Sequence, residues 1–176
     1  MSLLVDYRTA MAGQYEAALR TLMQCVEMCP THLWNEPVAK NPFCECVFHA
    51  LFYADLYLGQ DVASLREQEF HQSHPEIFRD YEELENREPK LLYDVEMITE
   101  YFKFVAEKME FVVSSETEET LAQPVDFEWL EIRRIEMHPY NIRHIHHHAA
   151  QLILKLRLES EANPIWYRTR QVRSTN

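Results

Sequence analysis

The sequence predicts an all-α protein, a four-helix up-down bundle with a long connection between its second and third helices. Only two of the 176 residues are glycine, which leaves few of the tight turns that an all-β fold needs. Apolar residues recur with the helical period in four separate segments, as they do in helices that surround one core. A chain of this length is expected to fold as one domain. We assign residues 1–163 to that domain and residues 164–176 to a C-terminal tail.

The first helix is predicted to begin at Asp6, which is a favourable N-cap, and to end near Met28. Pro30 follows shortly afterwards and cannot continue a helix. Residues 31–41 are predicted to form a loop, with Trp34 as the side chain that anchors it. This loop leads the chain to the start of the second helix.

The second helix is predicted to run from Pro42, behind an Asn41 cap, to about Leu58, where Gly59 ends it. It is apolar on nearly all sides, so we expect neighbouring helices to bury it. Residues 60–88 are polar and charged, and they are predicted to form a long connection that carries a short helix. A connection of this length inside a compact domain is often functional or mobile.

The third helix is predicted over residues 89–113, where the helical period of apolar residues returns. Residues 114–124 are acidic and resemble a turn. The fourth helix is predicted over residues 126–158. Because proline lacks a backbone N–H, Pro139 is expected to kink or break this helix between residues 135 and 140.

The net charge of −12 disfavours general binding to nucleic acids or anionic membranes, since both reward a basic surface. The sequence shows no apolar run long enough to span a membrane, and we expect no signal peptide. Its cysteines show neither a Cys-x-x-Cys pair nor the spacing of a secreted disulfide framework, and we expect them to be small buried residues. They are Cys25, Cys29, Cys44 and Cys46. We expect a cytoplasmic protein with reduced thiols.

A cluster of histidines between Asn141 and Leu152 is the strongest chemical feature of the sequence. His144 and His148 are four residues apart, so on a helix they lie on one face and could bind one metal ion together. A seam of apolar residues runs beside that face and is expected to face the core. The seam consists of Ile142, Ile145, Ala149, Leu152 and Leu156. A strong site would need a third ligand from another helix; otherwise these histidines form a polar surface face.

Two stretches of the chain resemble DinB-like (damage-inducible, YfiT-like) proteins. One is Asn-x-Arg-His-x-x-His-His-Ala-x-Gln-Leu at 141–152, and the other is Pro-Phe at 42–43 leading to His-Ala-Leu-Phe-Tyr-Ala-Asp-Leu-Tyr-Leu at 49–58. The resemblance implies a four-helix bundle that binds a divalent metal through one histidine of the second helix and two of the fourth. Matched residue by residue, these ligands are His49, His144 and His148.

The resemblance also implies metal-dependent chemistry that uses low-molecular-weight thiols, such as a transfer or an isomerisation. We therefore expect a transferase or hydrolase in which Zn²⁺ or Ni²⁺ keeps an open position for a thiol or a small-molecule substrate. The alternative is a non-enzymatic bundle, a sensor or an oligomerisation module, with a structural metal or none. A homodimer stays an open possibility. No side chain is assigned to catalysis, and the substrate is not specified.

Several side chains near the histidines have expected roles. His146 is expected to pair with an acidic side chain, and His147 to support a ligand or face solvent. Glu45 is the nearest candidate for a general base, or else an exposed carboxylate at a helix end. Asn141 and Gln151 extend the metal-binding face and could orient its ligands.

A substrate pocket is expected between the second and fourth helices. Both helices must turn their histidines to one point, which holds the backbones apart and leaves a gap above the ion. Phe52, Tyr53 and residues of the 60–88 connection are expected to form the wall of this pocket.

Overall fold

The structure is a computed structural model that describes residues 2–85 and 89–169. These residues are mostly helical, which confirms the predicted class. They form α1 (Leu3–Glu27), β1 (Pro37–Val38), β2 (Asn41–Pro42), α2 (Phe43–Leu58), α3 (Val62–Arg66), α4 (Glu69–Ser73), α5 (Pro75–Phe78), α6 (Val95–Ser115), α7 (Glu118–Ala122) and α8 (Arg134–Glu159). The two short strands pair antiparallel. In the described part of the chain, no helix is long and apolar enough to cross a membrane.

The four long helices share one apolar core. α1 and α2 each pack against both α6 and α8. The core contains large side chains with almost no exposed surface, including Tyr15, Phe43, Leu51, Phe52, Ile98, Tyr101 and Met137. Burial of such side chains contributes about 1.5–3 kcal/mol each before the entropy of ordering is subtracted. Three of the cysteines are buried and Cys29 is half-buried, and all four are free thiols.

α1 begins earlier than predicted. Ser2 is its N-cap, and the Ser2 hydroxyl accepts a hydrogen bond from the backbone N–H of Val5. Asp6 instead lies in the first turn, where a carboxylate is stabilised by the positive end of the helix dipole. The prediction of Asp6 as the cap was therefore wrong, because Ser2, four residues earlier, supplies the capping hydroxyl.

α2 has nearly the predicted ends. α2 begins one residue later than predicted, because Pro42 is its N-cap and not its first helical residue. Gly59 is the C-cap, as expected. Trp34 anchors the preceding segment as expected, since its indole N–H donates to the carbonyl of Tyr93 at 2.7 Å. Nearly the whole surface of α2 is buried, which fits its apolar sequence.

The connection after α2 contains more structure than the single short helix predicted. It carries α3, α4, α5 and a 3-10 turn at Glu82–Leu84. A buried hydrogen bond ties it to α2, because His71 Nε2 lies 2.7 Å from Asp55 Oδ2 and neither side chain is exposed. Tyr101 of α6 also donates to Asp55 Oδ2, at 2.8 Å. These bonds fix the path of the connection over the core.

The second half of the chain also differs from the prediction in its boundaries. α6 begins at Val95, behind an Asp94 cap that accepts from Met97 N at 2.8 Å, rather than near residue 89. The segment predicted as an acidic turn contains α7, which a Thr117–Thr120 capping box starts. The segment is mostly polar and has no apolar period, so no pattern in the sequence indicated this short helix, which its capping box defines.

α8 begins at Arg134, eight residues later than predicted from position 126, and runs through Pro139 without a break. Proline removes the N–H that would bond to the carbonyl four residues earlier, which is that of Ile135. The hydroxyl of Tyr7 in α1 donates to this carbonyl at 2.9 Å. A tertiary hydrogen bond thus replaces the missing helical one. The helix is continuous, so the predicted break does not occur, while the alternative of a kink stays a prediction.

A buried polar network joins the start of α8 to its neighbours. Glu116 Oε1 accepts from Arg134 Nε at 2.7 Å and lies 3.0 Å from His138 Nε2. Burial alone would raise the pKa of Glu116, but hydrogen bonds from His138, Thr120 and Arg134 outweigh it and lower that pKa to about 2. The guanidinium of Arg134 also donates to the last carbonyls of α2, at residues 57–59. α8 therefore begins beside the end of α2.

Candidate metal centre

Three histidines from α2 and α8 converge on one point. Each of His49, His144 and His148 offers one ring nitrogen, and the three nitrogens all lie within 4.8 Å of one another. The ring centroids of His144 and His148 are 4.6 Å apart, and that of His49 lies 4.7 Å from His148 and 5.4 Å from His144. This is the group that the sequence predicted to come together.

The packing of α8 against α2 explains why these rings meet. Arg134 is held at the end of α2, and the amide of Asn141 donates to the carbonyl of Ala54 at 2.9 Å. α8 thus runs back along α2, and the next turn brings its histidines opposite His49. The predicted seam faces the core, as all of its members are buried: Ile142, Ile145, Ala149, Leu152 and Leu156.

Two hydrogen bonds orient the histidine rings. His49 Nδ1 lies 2.6 Å from Glu83 Oε2, and the Glu83 side chain is only 6% exposed. His148 Nδ1 lies 3.0 Å from Gln151 Oε1. Bonds of this kind set which nitrogen carries the proton and leave the other available as a ligand. Gln151 is therefore in contact with His148, and its role in orienting a metal ligand stays a prediction. Glu83 was not predicted, because nothing in the pattern of the polar connection distinguishes it from the other carboxylates there.

The surroundings of His144 and His148 disfavour the charged form of these two imidazoles. Burial lowers the pKa of His144 to about 3, assisted by the neighbouring histidines, and lowers that of His148 to about 4. Nδ1 of His144 is also buried with no hydrogen-bond partner in the described residues, which is rare in folded proteins. Neutral, partly unsatisfied imidazoles fit a bound divalent ion of the kind that nitrogen ligands prefer, such as Zn²⁺ or Ni²⁺.

The other histidines of the cluster point elsewhere. The ring of His146 stacks on the indole of Trp166 with centroids 5.1 Å apart, whereas the sequence predicted an acidic partner. His147 is exposed and contacts Gln151 at 3.3 Å, as expected for a surface or supporting residue. Asn141 is buried against α2 rather than beside the ligands. The prediction that it orients a ligand is therefore replaced by a role in joining α2 to α8.

A pocket of about 420 Å³ opens beside the three rings, and both His49 and His144 line it. Tyr53 and residues 83–85 of the connection form part of its wall, as predicted. Phe52 does not, because its side chain is only 1% exposed and lies in the core. Glu45 is buried too, at 3% exposed, so the prediction of an exposed carboxylate was wrong.

Three further lining residues were missed in the sequence: Tyr57, Trp129 and Tyr140. Tyr57 follows Tyr53 by one helical turn and Tyr140 precedes His144 by one turn, so the helical spacing could have identified both. Trp129 lies outside any helix, and no periodicity marks it. These residues make one side of the pocket aromatic.

The fold and the site together define a helical protein with a candidate three-histidine metal centre. A family model for the DinB superfamily matches residues 14–152. The chain therefore belongs to the DinB superfamily. Comparisons with curated proteins and with solved structures gave no significant match.

Proposed function

We propose that this protein is a metal-dependent enzyme, a transferase or hydrolase, in which His49, His144 and His148 hold one divalent ion. Zn²⁺ and Ni²⁺ are the preferred candidates, since neutral imidazoles suit both ions. The proposal includes the up-down arrangement of α1, α2, α6 and α8 as one domain over residues 1–163. Its partners are a small-molecule substrate and, in the thiol-dependent form of the reaction, a low-molecular-weight thiol.

One observation carries the enzymatic form of the proposal: two of the three histidines line a pocket of about 420 Å³. Pockets of about 300–1,000 Å³ are typical of small-molecule sites. The group of converging ligands has three members, and a three-ligand set leaves a position for water or substrate, whereas structural sites use four. A non-enzymatic protein with a structural metal would have no need of such a pocket.

A divalent ion in this site would lower the pKa of a bound water to about 7 or hold a thiol as its thiolate. The residues of the chain have separate roles around it. Glu83 accepts the hydrogen bond of His49 and holds the ring in one tautomer. Tyr53 donates its hydroxyl to the carbonyl of Glu83 at 2.9 Å, which fixes the rim of the pocket.

The experiment is metal analysis of the purified protein by X-ray fluorescence, followed by substitution of the histidines. We expect about one ion per chain in the wild type, and loss of the ion in His49→Ala, His144→Ala and His148→Ala, because a two-histidine site binds weakly. His146→Ala is the matched control, since its ring stacks on Trp166, and it should keep the ion. Loss of the ion in His146→Ala together with retention in His148→Ala would refute the ligand set.

The enzymatic part is tested separately on metal-loaded protein. Calorimetry with glutathione, bacillithiol and mycothiol, alongside an electrophile-conjugation assay, should show binding that disappears in His49→Ala. An ion with four protein ligands, no heat of binding and no turnover would instead establish the structural role.

A further inference from the structure

An open apolar groove lies beside the first turns of α1, next to α7 and the start of α8. Its volume is about 570 Å³, and none of its described lining residues lines the pocket beside the histidines. Its apolar lining consists of Leu3, Leu4, Ala10, Leu121, Ala122 and Ile135. Leu3 is 84% exposed and Ile135 is 37% exposed. Contiguous exposed apolar surface of this kind often marks a site that another segment or molecule covers.

The charges at the edge of this groove favour a basic occupant. Asp6 and Glu118 line it and are exposed. Within residues 2–85 and 89–169, neither carboxylate forms an ion pair, whereas the lining cation Arg133 has its Nε 3.5 Å from Glu136 Oε2. An acidic or purely apolar occupant would leave both carboxylates without a partner. Arginine or lysine side chains would pair with them.

The described part of the C-terminal tail runs along α1 towards this groove. The backbone N–H of Ile165 donates to Gln24 Oε1 at 2.6 Å, and three residues later the carbonyl of Arg168 accepts from Gln14 Nε2 at 3.5 Å. The hydroxyl of Tyr167 also accepts from Gln24 Nε2, at 3.2 Å. The tail thus passes from the last third of α1 back towards the N-terminus of that helix.

The groove continues the path of the tail. Gln14 lies on the same face of α1 as the lining residues Ala10, Tyr7 and Leu3, because these positions are three or four residues apart. The next turn of α1 beyond the contact with Arg168 is therefore the near end of the groove.

The remaining chain is long enough to fill it. Residues 170–176 have the sequence Arg-Gln-Val-Arg-Ser-Thr-Asn and lie outside the described residues. The helix rises about 16 Å between Gln14 and Leu3, whereas the eight residues from Thr169 to Asn176 span up to about 26 Å when extended. The segment therefore reaches from the last described contact to the far end of the groove.

We propose that residues 170–176 bind in this groove of their own chain. In this arrangement Arg170 and Arg173 pair with the carboxylates of Asp6 and Glu118. Val172 and the aliphatic stems of the two arginines cover the apolar floor, as long basic side chains do on apolar surfaces. The groove is then an intramolecular docking site that is separate from the metal centre.

The test is photo-crosslinking in the full-length chain, with p-benzoylphenylalanine in place of Val172. A dilute mixture of unlabelled and isotopically labelled protein is irradiated, and the cross-linked peptides are identified by mass spectrometry. We expect cross-links within one chain, to residues 3–10 of α1, to α7 or to the start of α8. Labelling separates these from cross-links between two chains.

Charge reversal tests the ion pairs in the same photoreactive chain. Asp6→Lys combined with Glu118→Lys should lower the rate of cross-linking about fivefold, which is the effect expected of two exposed ion pairs. Addition of Arg170→Glu and Arg173→Glu should restore the rate, because the reversed charges attract again. Glu119→Lys is the matched control, since Glu119 is the exposed neighbour of Glu118 and is not among the lining residues.

Three results would overturn the proposal: cross-links outside the groove, cross-links between labelled and unlabelled chains, and a rate that the charge reversal leaves unchanged. Cross-links between chains would show that the groove receives the tail of a second copy. An equal fall in Glu119→Lys would show that net charge, and not pairing in the groove, determines the rate.

Discussion

The hydrogen bond between His49 and Glu83 allows a quantitative prediction. Its Nδ1 to Oε2 distance is 2.6 Å, and the Glu83 carboxylate is 6% exposed, so solvent screens it little. Glu83→Gln keeps an acceptor oxygen at the same distance along the side chain but removes the negative charge. Charge-assisted hydrogen bonds contribute about 1.5–3 kcal/mol and neutral ones about 0.5–1.5 kcal/mol, so the substitution should cost about 1–2 kcal/mol of metal-binding free energy.

That loss corresponds to a fall in metal affinity of about 5- to 30-fold, since 1.4 kcal/mol is about a factor of ten. The assay is a competition titration of Zn²⁺ against a chromogenic chelator at pH 7.5. Glu100→Gln is the matched control, because Glu100 makes a similar contact of 3.2 Å with His74, outside the cluster. It should bind Zn²⁺ as the wild type does.

Two results would refute this reasoning. An unchanged affinity in Glu83→Gln would mean that the carboxylate does not act on the ligand. An equal loss in Glu100→Gln would mean that the effect arises from net charge and not from the hydrogen bond to His49. Melting curves of both variants in chelator separate either outcome from a change in the stability of the fold itself.

Two further predictions concern stability. The pKa of Glu116 is lowered to about 2 from 4.5, so its ionised form should contribute up to about 3 kcal/mol, fully present above pH 4.5 and lost as the pH falls towards 2. In Glu116→Gln, the free energy of unfolding, measured with urea at a series of pH values, should fall less between pH 4.5 and pH 2 than in the wild type. An equal fall in both proteins would contradict the assignment. Tyr7→Phe should lower the free energy of unfolding by about 1 kcal/mol, because it removes the hydrogen bond to the carbonyl of Ile135. The loss should be much smaller in a Pro139→Ala background, where the helical N–H is restored. Equal losses in both backgrounds would show that the Tyr7 hydroxyl does not substitute for the helical hydrogen bond.

The elements that local sequence rules define were largely predictable. The end of α2 at Gly59 and its start beside Pro42 follow from the backbone preferences of those two residues. The pairing of His144 with His148 follows from helical periodicity alone. The addition of His49 required the family resemblance, because one histidine on an apolar helix is by itself uninformative.

The features that were not predicted depend on contacts between distant parts of the chain. The hydroxyl that replaces the hydrogen bond lost at Pro139 belongs to Tyr7, 128 positions before its acceptor Ile135. The partner of His49 is Glu83, 34 positions away on a connection without helical period. Local propensity contains no information about either contact. Each becomes visible only when packing brings the two elements together.

The position of Glu83 in turn depends on how the connection is held. α3, α4 and α5 have five, five and four residues, and helices this short are not stable on their own. Their place over the core must come from tertiary bonds, of which the buried pair of Asp55 and His71 is the least exposed. Because Asp55 follows His49 on the same helix, α2 supplies both a candidate metal ligand and the residue that anchors the segment orienting that ligand. The geometry of the centre therefore depends on the connection as much as on the two helices that carry the histidines.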